Sequence, residues 1–390
     1  MIAVLLLIII YLSFISLGLP DSVLGTAIPS FQGEWGIPLS AGGIISLLII
    51  AGSTASTFSN AFIVKRIGTG KLTFFSCLLT GSALLGFSLA PSFFWLPFLA
   101  VPLGIGGGAV DASLNSYVAH NFKARHMNWL HSFWGIGATL GPVIMARALA
   151  MTGNWRMGYR SIAFIQLILA NVLLISLPLW KKHAPVGSKD EENESGRTKT
   201  AVFKLKGIIP ALGTMLLYCS VEGGAGLWGS SFLAKSRGLP VDAAAGWLAM
   251  YYGGITGGRF LAGFITEKLS NNQMIRYGIL LSLFGILLLF LPMPPALLGS
   301  AFILIGIGFA PVFPAMIHET PARFGKQLSH KVIGFQMGFA YIGSAAFPPL
   351  MGILFQTAGT GVFPAALFLL TAAMLAVSEI LRRETEAGKK

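Results

Sequence analysis

Twelve apolar stretches, each about as long as a helix that crosses a bilayer, dominate this chain. A membrane-spanning helix needs ~20 apolar residues to cross a hydrocarbon core ~30 Å thick. Glycine, proline and charged residues bound the stretches, so each is predicted to form a separate helix. The stretches lie near residues 2–27, 39–63, 72–90, 95–119, 128–150, 159–180, 208–234, 243–266, 274–292, 296–318, 330–355 and 361–381.

The composition supports a membrane protein and excludes several other classes. Apolar residues make up 54% of the 390 residues, only 11% are charged, and the mean hydropathy is +0.75. Soluble chains carry about 25% charged residues. A soluble enzyme, a secreted disulfide scaffold and a disordered tail are therefore excluded. The two cysteines, Cys77 and Cys219, lie inside apolar stretches and are predicted to be packing residues.

A charged segment at residues 181–206 divides the stretches into six and six. We predict an N-terminal six-helix bundle at residues 1–180, a cytoplasmic linker at 181–206 and a C-terminal six-helix bundle at 207–390. With the linker in the cytoplasm, most of the 27 lysines and arginines lie on the same side. Both termini are then predicted to be cytoplasmic. The net charge of +13 is explained by this topology and by the anionic inner leaflet, so no nucleic-acid partner is expected.

An internal repeat supports the division into halves. Gly104-Ile105-Gly106 matches Gly306-Ile307-Gly308 at an offset of 202 residues. The segment 61–67 matches the segment 263–269 at the same offset. The shared offset predicts two halves that run in the same direction through the membrane, as in transporters built from parallel repeats.

Helix 4 has a glycine-rich run at residues 104–108, followed by Asp111 and by Asn115 four residues later. This pattern resembles the major facilitator superfamily and, within it, the fucose permease and sugar:proton symporter family. Residues 130–138 in helix 5 resemble its Leu-His-x-x-Phe-Gly-x-Gly-Ala segment. The superfamily's signature between helices 2 and 3 is degenerate here, since Ala61 and Lys65 replace its glycine and aspartate while Arg66 and Gly68 remain.

The resemblance implies an all-α membrane protein with twelve transmembrane helices in two six-helix bundles that work by alternating access. It also implies that Asp111 stands where the family has an acid involved in substrate and proton binding. The degenerate signature and its second copy imply gating at the cytoplasmic loops. The residues assigned to that role are Lys65, Arg66, Gly68, Arg259, Glu267 and Lys268.

Three acids, Asp21, Asp111 and Glu222, fall well inside predicted helices. An ionised side chain there costs roughly 2.5–3.5 kcal/mol or more, so each needs water, a partner or a proton. We assign all three to proton coupling. The alternatives are a structural hydrogen bond for Asp111 and Glu222, and capping of the break at Pro20 for Asp21.

Candidate substrate-binding residues are the amide, imidazole and aromatic side chains of the predicted central helices. Sugars offer hydroxyl groups and apolar C–H faces, which such side chains bind together. The candidates are Asn115, His131, Trp134, Trp228, Gln336 and Tyr341. The alternative for the aromatic residues is packing or anchoring at the membrane interface. Arg259, in the cytoplasmic third of helix 8, is expected to snorkel or to pair with the following loop.

We therefore predict a secondary active transporter that takes up a sugar or similar small polar solute with protons. No nucleotide motif is present, so the expected driving force is the proton gradient, with no cofactor and no metal. A monomer in the plasma membrane is expected. The alternatives are a proton-driven exporter of hydrophobic compounds and a non-transporting membrane receptor. An enzyme is not expected, because no nucleophile–base pair or metal-ligand spacing appears.

Overall fold

The structure is a computed structural model that describes residues 2–122, 124–181, 202–265 and 268–386. Within these ranges the chain is helical and contains no strand. The helices are α1 (Ile2–Trp35), α2 (Ser40–Ile67), α3 (Thr69–Leu89), α4 (Trp95–Asn121), α5 (Ala124–Thr152), α6 (Trp155–Lys181), α7 (Ile208–Ser236), α8 (Val241–Ile265), α9 (Asn271–Leu288), α10a (Pro295–Phe309), α10b (Val312–Phe324), α11 (Lys326–Ala358) and α12 (Phe363–Glu386).

The helices confirm the predicted all-α fold. Ten segments of the described chain are long and apolar enough to cross a membrane. The remaining long helices, α8 and α9, lie where the eighth and ninth apolar stretches were predicted. Most of the predicted linker at 181–206 lies outside the described residues.

Two compact units make up the described chain. The first contains α1 to α6 together with Leu227–Ala249 and Gly352–Thr360, and the second contains the remaining described residues. Parts of α7, α8 and α11 are thus grouped with the first six helices. The division into bundles at 1–180 and 207–390 stays a prediction.

Helix α1 is longer than the sequence suggested, because it continues beyond residue 27 and through Pro29 to Trp35. It ends at Gly36, whose φ of 62° suits glycine and whose N–H donates to Gln32 O at 3.0 Å. Its last turn is anchored to α6. The indole Nε1 of Trp155 and the guanidinium of Arg156 both donate to the carboxylate of Glu34 at 2.7 Å.

A single residue, Gly68, joins α2 to α3. Its φ is 80°, a conformation that side chains other than glycine rarely adopt, and its N–H donates to Val64 O at 2.8 Å. Lys65 and Arg66 therefore lie in the last helical turn of α2 rather than in an extended loop, and both are exposed. The guanidinium of Arg66 lies 4.1 Å from the ring centre of Phe62.

The tenth apolar stretch forms a helix that is broken at Ala310 and Pro311. Proline has no N–H to donate to the preceding turn, so its ring interrupts the hydrogen-bond ladder. Breaks of this kind are tolerated in membranes where other groups satisfy the freed backbone. Here the carbonyl oxygen of Phe309 accepts a hydrogen bond from the hydroxyl of Tyr218 on α7.

Close glycine contacts join α2 to α4 in the first unit. A Cβ atom at Gly104 would collide with the carbonyl oxygen of Ile49, and one at Gly52 would lie 2.7 Å from the carbonyl oxygen of Val101. Both positions have space for a hydrogen atom only. The two backbones therefore approach each other as closely as small residues allow.

The same contacts recur between α8 and α10a in the second unit. A Cβ atom at Gly306 would collide with the carbonyl oxygen of Tyr251. A Cβ atom at Gly254 would lie 2.5 Å from the carbonyl oxygen of Ile303. Each of these four residues stands 202 positions after its counterpart in the first unit. The packing thus extends the repeat that the sequence indicated at Gly104 and Gly306.

Candidate functional site

Asp111 and Asn115 form a polar pair on one face of α4, as their spacing of four residues predicted. The side-chain nitrogen of Asn115 donates to Asp111 Oδ1 at 2.9 Å and to the Asp111 carbonyl oxygen at 3.0 Å. Both side chains are half-buried. The carboxylate is therefore held by an amide while one side of it stays accessible.

Asp21 on α1 is paired with Trp134 on α5. The indole Nε1 of Trp134 donates to Asp21 Oδ2 at 2.8 Å, and the Asp21 side chain is exposed although it lies mid-helix. Glycines bring the two helices together. A Cβ at Gly18 would collide with the Trp134 carbonyl oxygen, and one at Gly137 would collide with that of Ile15.

Asp21 and Asp111 lie on neighbouring helices of the first unit. Helix α1 approaches α4 where Gly107 faces Leu17. The first unit thus carries Asp21, Asp111, Asn115 and Trp134 on three helices that pack together, α1, α4 and α5. His131 on α5 is exposed, and its ring meets that of Phe14 edge-on with the centres 6.0 Å apart.

A second polar cluster, in the second unit, surrounds Glu222 on α7. Tyr218 lies one turn earlier on the same helix, and its hydroxyl donates to Glu222 Oε1 at 3.0 Å. The same hydroxyl lies 3.2 Å from the carbonyl oxygen of Phe309, at the break between α10a and α10b. The cluster thus connects the acid of α7 with the broken helix.

Helix α8 contributes a tyrosine and an arginine to this cluster. The hydroxyl of Tyr251 donates to the backbone carbonyl oxygen of Glu222 at 3.1 Å. The guanidinium Nη2 of Arg259 lies 3.6 Å from Glu222 Oε1, and the two side chains are only 17% and 22% exposed. Arg259 is therefore turned toward the middle of α7, and its expected pairing with the loop after α8 stays a prediction.

Two candidate ligand residues are buried in packing contacts. Trp228 is fully buried, lies against Gly352 and meets the Phe355 ring edge-on at 5.6 Å. Gln336 is also fully buried, and its Oε1 accepts from Thr320 Oγ1 at 2.9 Å. Both side chains are closed to a ligand in this structure. Tyr341 is half-buried.

The residues expected to gate the cytoplasmic side belong to several segments of the chain. Lys65, Arg66 and Gly68 are at the junction of α2 and α3, and exposed Lys268 is in the turn after α8. Glu267 lies outside the described residues, and Arg259 belongs to the cluster around Glu222.

Sequence reasoning missed the roles of Tyr218 and Tyr251. The signal for Tyr218 was available, since its spacing of four residues from Glu222 equals that of Asp111 and Asn115. Tyr251 had no such signal, because its contact with α7 depends on how α8 is rotated. Among the described residues, no three His, Cys, Asp or Glu side chains come together as metal ligands.

Apolar spans that carry acids, amides and an arginine in their middle are typical of a multi-pass membrane transport protein. The chain belongs to the Major Facilitator Superfamily, whose sequence profile it matches over residues 10–348. It is therefore a membrane transporter of small solutes and not an enzyme.

The chain has several distant curated relatives. It is 22% identical to Bypass of stop codon protein 6 of Saccharomyces cerevisiae, over 92% of this chain and 78% of the yeast protein. It is 21% identical to the cis,cis-muconate transport protein of Acinetobacter baylyi, over 87% of this chain and 84% of that protein. A putative glucose/galactose transporter of Helicobacter pylori is 26% identical over 60% of this chain and 58% of that protein.

Solved structures share the fold at low identity. The nucleoside transporter NupG superposes with a TM-score of 0.77 at 16% identity, covering 96% of this chain and 98% of NupG. A bacterial homolog of the human lysosomal transporter Spinster, in an inward-facing and occupied conformation, gives a TM-score of 0.72 at 15% identity. The alignment covers 98% of this chain and 95% of the Spinster homolog.

Proposed function

We propose that this transporter couples proton movement to the uptake of a sugar or similar small polar solute, and that it works by alternating access. The observation that carries the proposal is the site in the first unit. There, two carboxyl groups in the middle of apolar helices are held by Asn115 and Trp134. A relative named as a putative glucose/galactose transporter adds support for a sugar.

The proton-coupling role follows from the cost of charge in a membrane. Ionised carboxylates at this depth are unfavourable, so Asp21 and Asp111 have a strong tendency to bind protons when water is excluded. A proton bound by either carboxyl group removes its charge. A solute that binds beside them is then transported together with that proton.

The experiment uses the full chain, purified and reconstituted in proteoliposomes. Addition of a transported monosaccharide from a screened panel should make the external medium more alkaline. Asp111→Asn should abolish uphill accumulation while exchange of labelled solute across the membrane continues. Asp242→Asn is the matched control, because Asp242 lies in the first turn of α8 and outside both clusters; its accumulation should equal that of the unmodified protein.

Full uphill uptake by the Asp111→Asn protein would overturn the proton-coupling role of this residue. If hydrophobic compounds are extruded and no polar solute exchanges, the exporter is the better description. We further propose that the protein is a monomer in the plasma membrane with both termini in the cytoplasm. The proton gradient is its driving force, and it needs no cofactor.

A further inference from the structure

The exposed face of α2 is apolar along its last turns and cationic at its end. Phe58 and Phe62 are 82% and 60% exposed, and exposed Arg66 follows at the same spacing of four residues. This face points away from α4, which packs against Gly52 and Ser56 on the other side of the helix. The guanidinium of Arg66 is held over the apolar surface, since it lies 4.1 Å from the ring centre of Phe62.

Helix α3 has the same arrangement in the reverse order. Lys71, Phe75 and Leu79 follow one another at intervals of four residues, and all three side chains are exposed. Lys71 lies close to α2, because Gly68 is the only residue between the two helices. Two exposed apolar stripes therefore end in cations at the same end of the first unit.

The cations at this junction lie at the depth of lipid headgroups. The apolar segments long enough to cross a membrane are Ser40–Asn60 in α2 and Thr69–Leu89 in α3. Lys65, Arg66 and Lys71, which we call the junction cations, lie between these segments or within one turn of them. Headgroups flank the hydrocarbon core at both ends of a spanning helix. The junction cations are thus placed beside phosphates, and the stripes beside acyl chains.

The junction cations have no carboxylate partner within the described chain. None of the three makes an ion pair with another described residue. The described acids of the first unit lie inside α1, inside α4, at the end of α1 and at the start of α8; they are Asp21, Asp111, Glu34 and Asp242. Three exposed positive charges within seven residues are therefore complementary to an anion that the described part of this unit does not supply.

The second unit repeats the apolar stripes but not the charges. Three exposed aromatic residues stand 202 positions after Phe58, Phe62 and Phe75; they are Phe260, Phe264 and Tyr277. The cations differ, since the positions of two junction cations are occupied by Glu267 and Gln273. The chain therefore has this apolar surface twice and the cluster of three cations once, which distinguishes the first junction from a general positive surface.

We propose that the junction of α2 and α3 binds one anionic phospholipid, whose acyl chains lie along the two stripes and whose phosphate contacts the junction cations. Arginine binds two phosphate oxygens at once, and each lysine adds a point charge. A cation near an anionic lipid surface contributes about fivefold in affinity. A free anion would use the cations alone, whereas a phospholipid uses the stripes as well. The inference does not depend on the proton-coupled uptake proposed above.

The test measures which lipid stays bound to the purified full-length protein. The protein is incubated in detergent with equal amounts of phosphatidylglycerol and phosphatidylcholine that carry the same acyl chains, and native mass spectrometry counts the lipids retained. Phosphatidylglycerol should be retained at least about tenfold more strongly, as expected for two or three cations. Equal retention of both lipids would overturn the inference. That is also the result expected if the acids at positions 190–194 neutralise the junction instead.

Variants of the junction cations test the site itself. Arg66→Gln and Lys71→Gln should each weaken retention of phosphatidylglycerol about fivefold, and the double variant about 25-fold. Retention of phosphatidylcholine should not change, because the apolar stripes remain. Arg66→Lys should keep part of the preference, since it keeps the charge without the paired hydrogen bonds. An unchanged lipid preference in the double variant would contradict the proposal.

Two further exposed cations provide matched controls. Lys268→Gln changes the residue that stands 202 positions after Arg66, and Arg147→Gln changes an exposed residue near the other end of α5. Each lowers the net charge by one, as Arg66→Gln does. Both should retain phosphatidylglycerol like the unmodified protein. An equal loss in either control would show a general attraction between a basic protein and anionic lipid, and would overturn the assignment to the junction.

Inorganic phosphate distinguishes a lipid site from a site for a free anion. The protein with bound phosphatidylglycerol is exposed to sodium phosphate or to sodium chloride at the same ionic strength, so that screening is equal in the two samples. Both salts should release the same small amount of lipid. Selective release by phosphate would mean that the cations bind the free anion, and it would contradict the role of the stripes.

Discussion

The hydroxyl of Tyr218 lies between two acceptors, Glu222 Oε1 at 3.0 Å and the carbonyl oxygen of Phe309 at 3.2 Å. One belongs to an ionisable side chain and the other to the backbone at a helix break. Tyr218 therefore links the protonation state of Glu222, on α7, to the break between α10a and α10b. A change of charge at Glu222 alters the hydrogen bond that the break receives.

Tyr218→Phe is expected to weaken this connection with little loss of packing. It removes one buried hydroxyl, whose hydrogen bonds in a membrane contribute about 0.6–2 kcal/mol. Uphill uptake should fall more strongly than exchange, since exchange does not require a cycle of proton release. Reconstituted uptake and exchange rates provide the measurement. Tyr277→Phe, at an exposed tyrosine of α9, is the control and should behave like the unmodified protein.

Trp134→Phe is expected to impair the site in the first unit. The change keeps an aromatic ring but removes the Nε1 hydrogen that Asp21 accepts. Hydrogen bonds to charged groups contribute about 1.5–3 kcal/mol, so initial uptake rates should decrease about tenfold or more. Trp95→Phe changes an exposed tryptophan at the start of α4 and should have no such effect. Equal rates for both variants would refute the role of the Trp134 hydrogen bond.

Gly104→Ala and Gly306→Ala are expected to destabilise the protein to a similar extent. Each places a methyl group against a backbone carbonyl oxygen in a neighbouring helix. Overpacking of this kind costs about 1–3 kcal/mol. The melting temperature of the purified protein measures the effect. Gly338→Ala is the control, because nothing lies within 4 Å of its Cβ position, and it should melt at or above the original temperature.

Gln336→Met tests whether the Gln336 amide serves the stability of the protein or the transport of its solute. The side-chain nitrogen of Gln336 is buried and has no hydrogen-bond partner among the described residues. The Thr320 hydroxyl, which donates to Gln336 Oε1, also lies 3.0 Å from the carbonyl oxygen of Met316. Removal of the amide should therefore change the free energy of unfolding by less than about 1.5 kcal/mol. If transport is lost while the protein remains stable, Gln336 binds solute in another conformation.

The sequence was sufficient to predict the helices and much less of the side-chain pairing. Apolar length and bounding charges placed the spans correctly, because crossing a bilayer imposes a fixed length. Asp111 and Asn115 were visible as a pair, since residues four apart share a helix face. The end of α1 was missed, because the anchor at Glu34 comes from α6.

Pairing between helices could not be predicted from the spacing along one helix. Asp21 meets Trp134 because Gly18 and Gly137 set the approach and rotation of α1 and α5. Arg259 meets Glu222 for a related reason, since its helix is held against α10a by glycines. Such rotations depend on many small contacts at once, and a single sequence does not display them.

The glycine contacts repeated at an offset of 202 residues have a consequence for the substitutions that the chain tolerates. Each crossing depends on a backbone position without a Cβ atom, so larger residues are not accommodated at Gly104 or Gly306. Positions beside the crossings are not held to this limit, since Thr57 stands 202 positions before Arg259. The two units therefore share the contacts that set the helix crossings while they differ in the polar groups beside them.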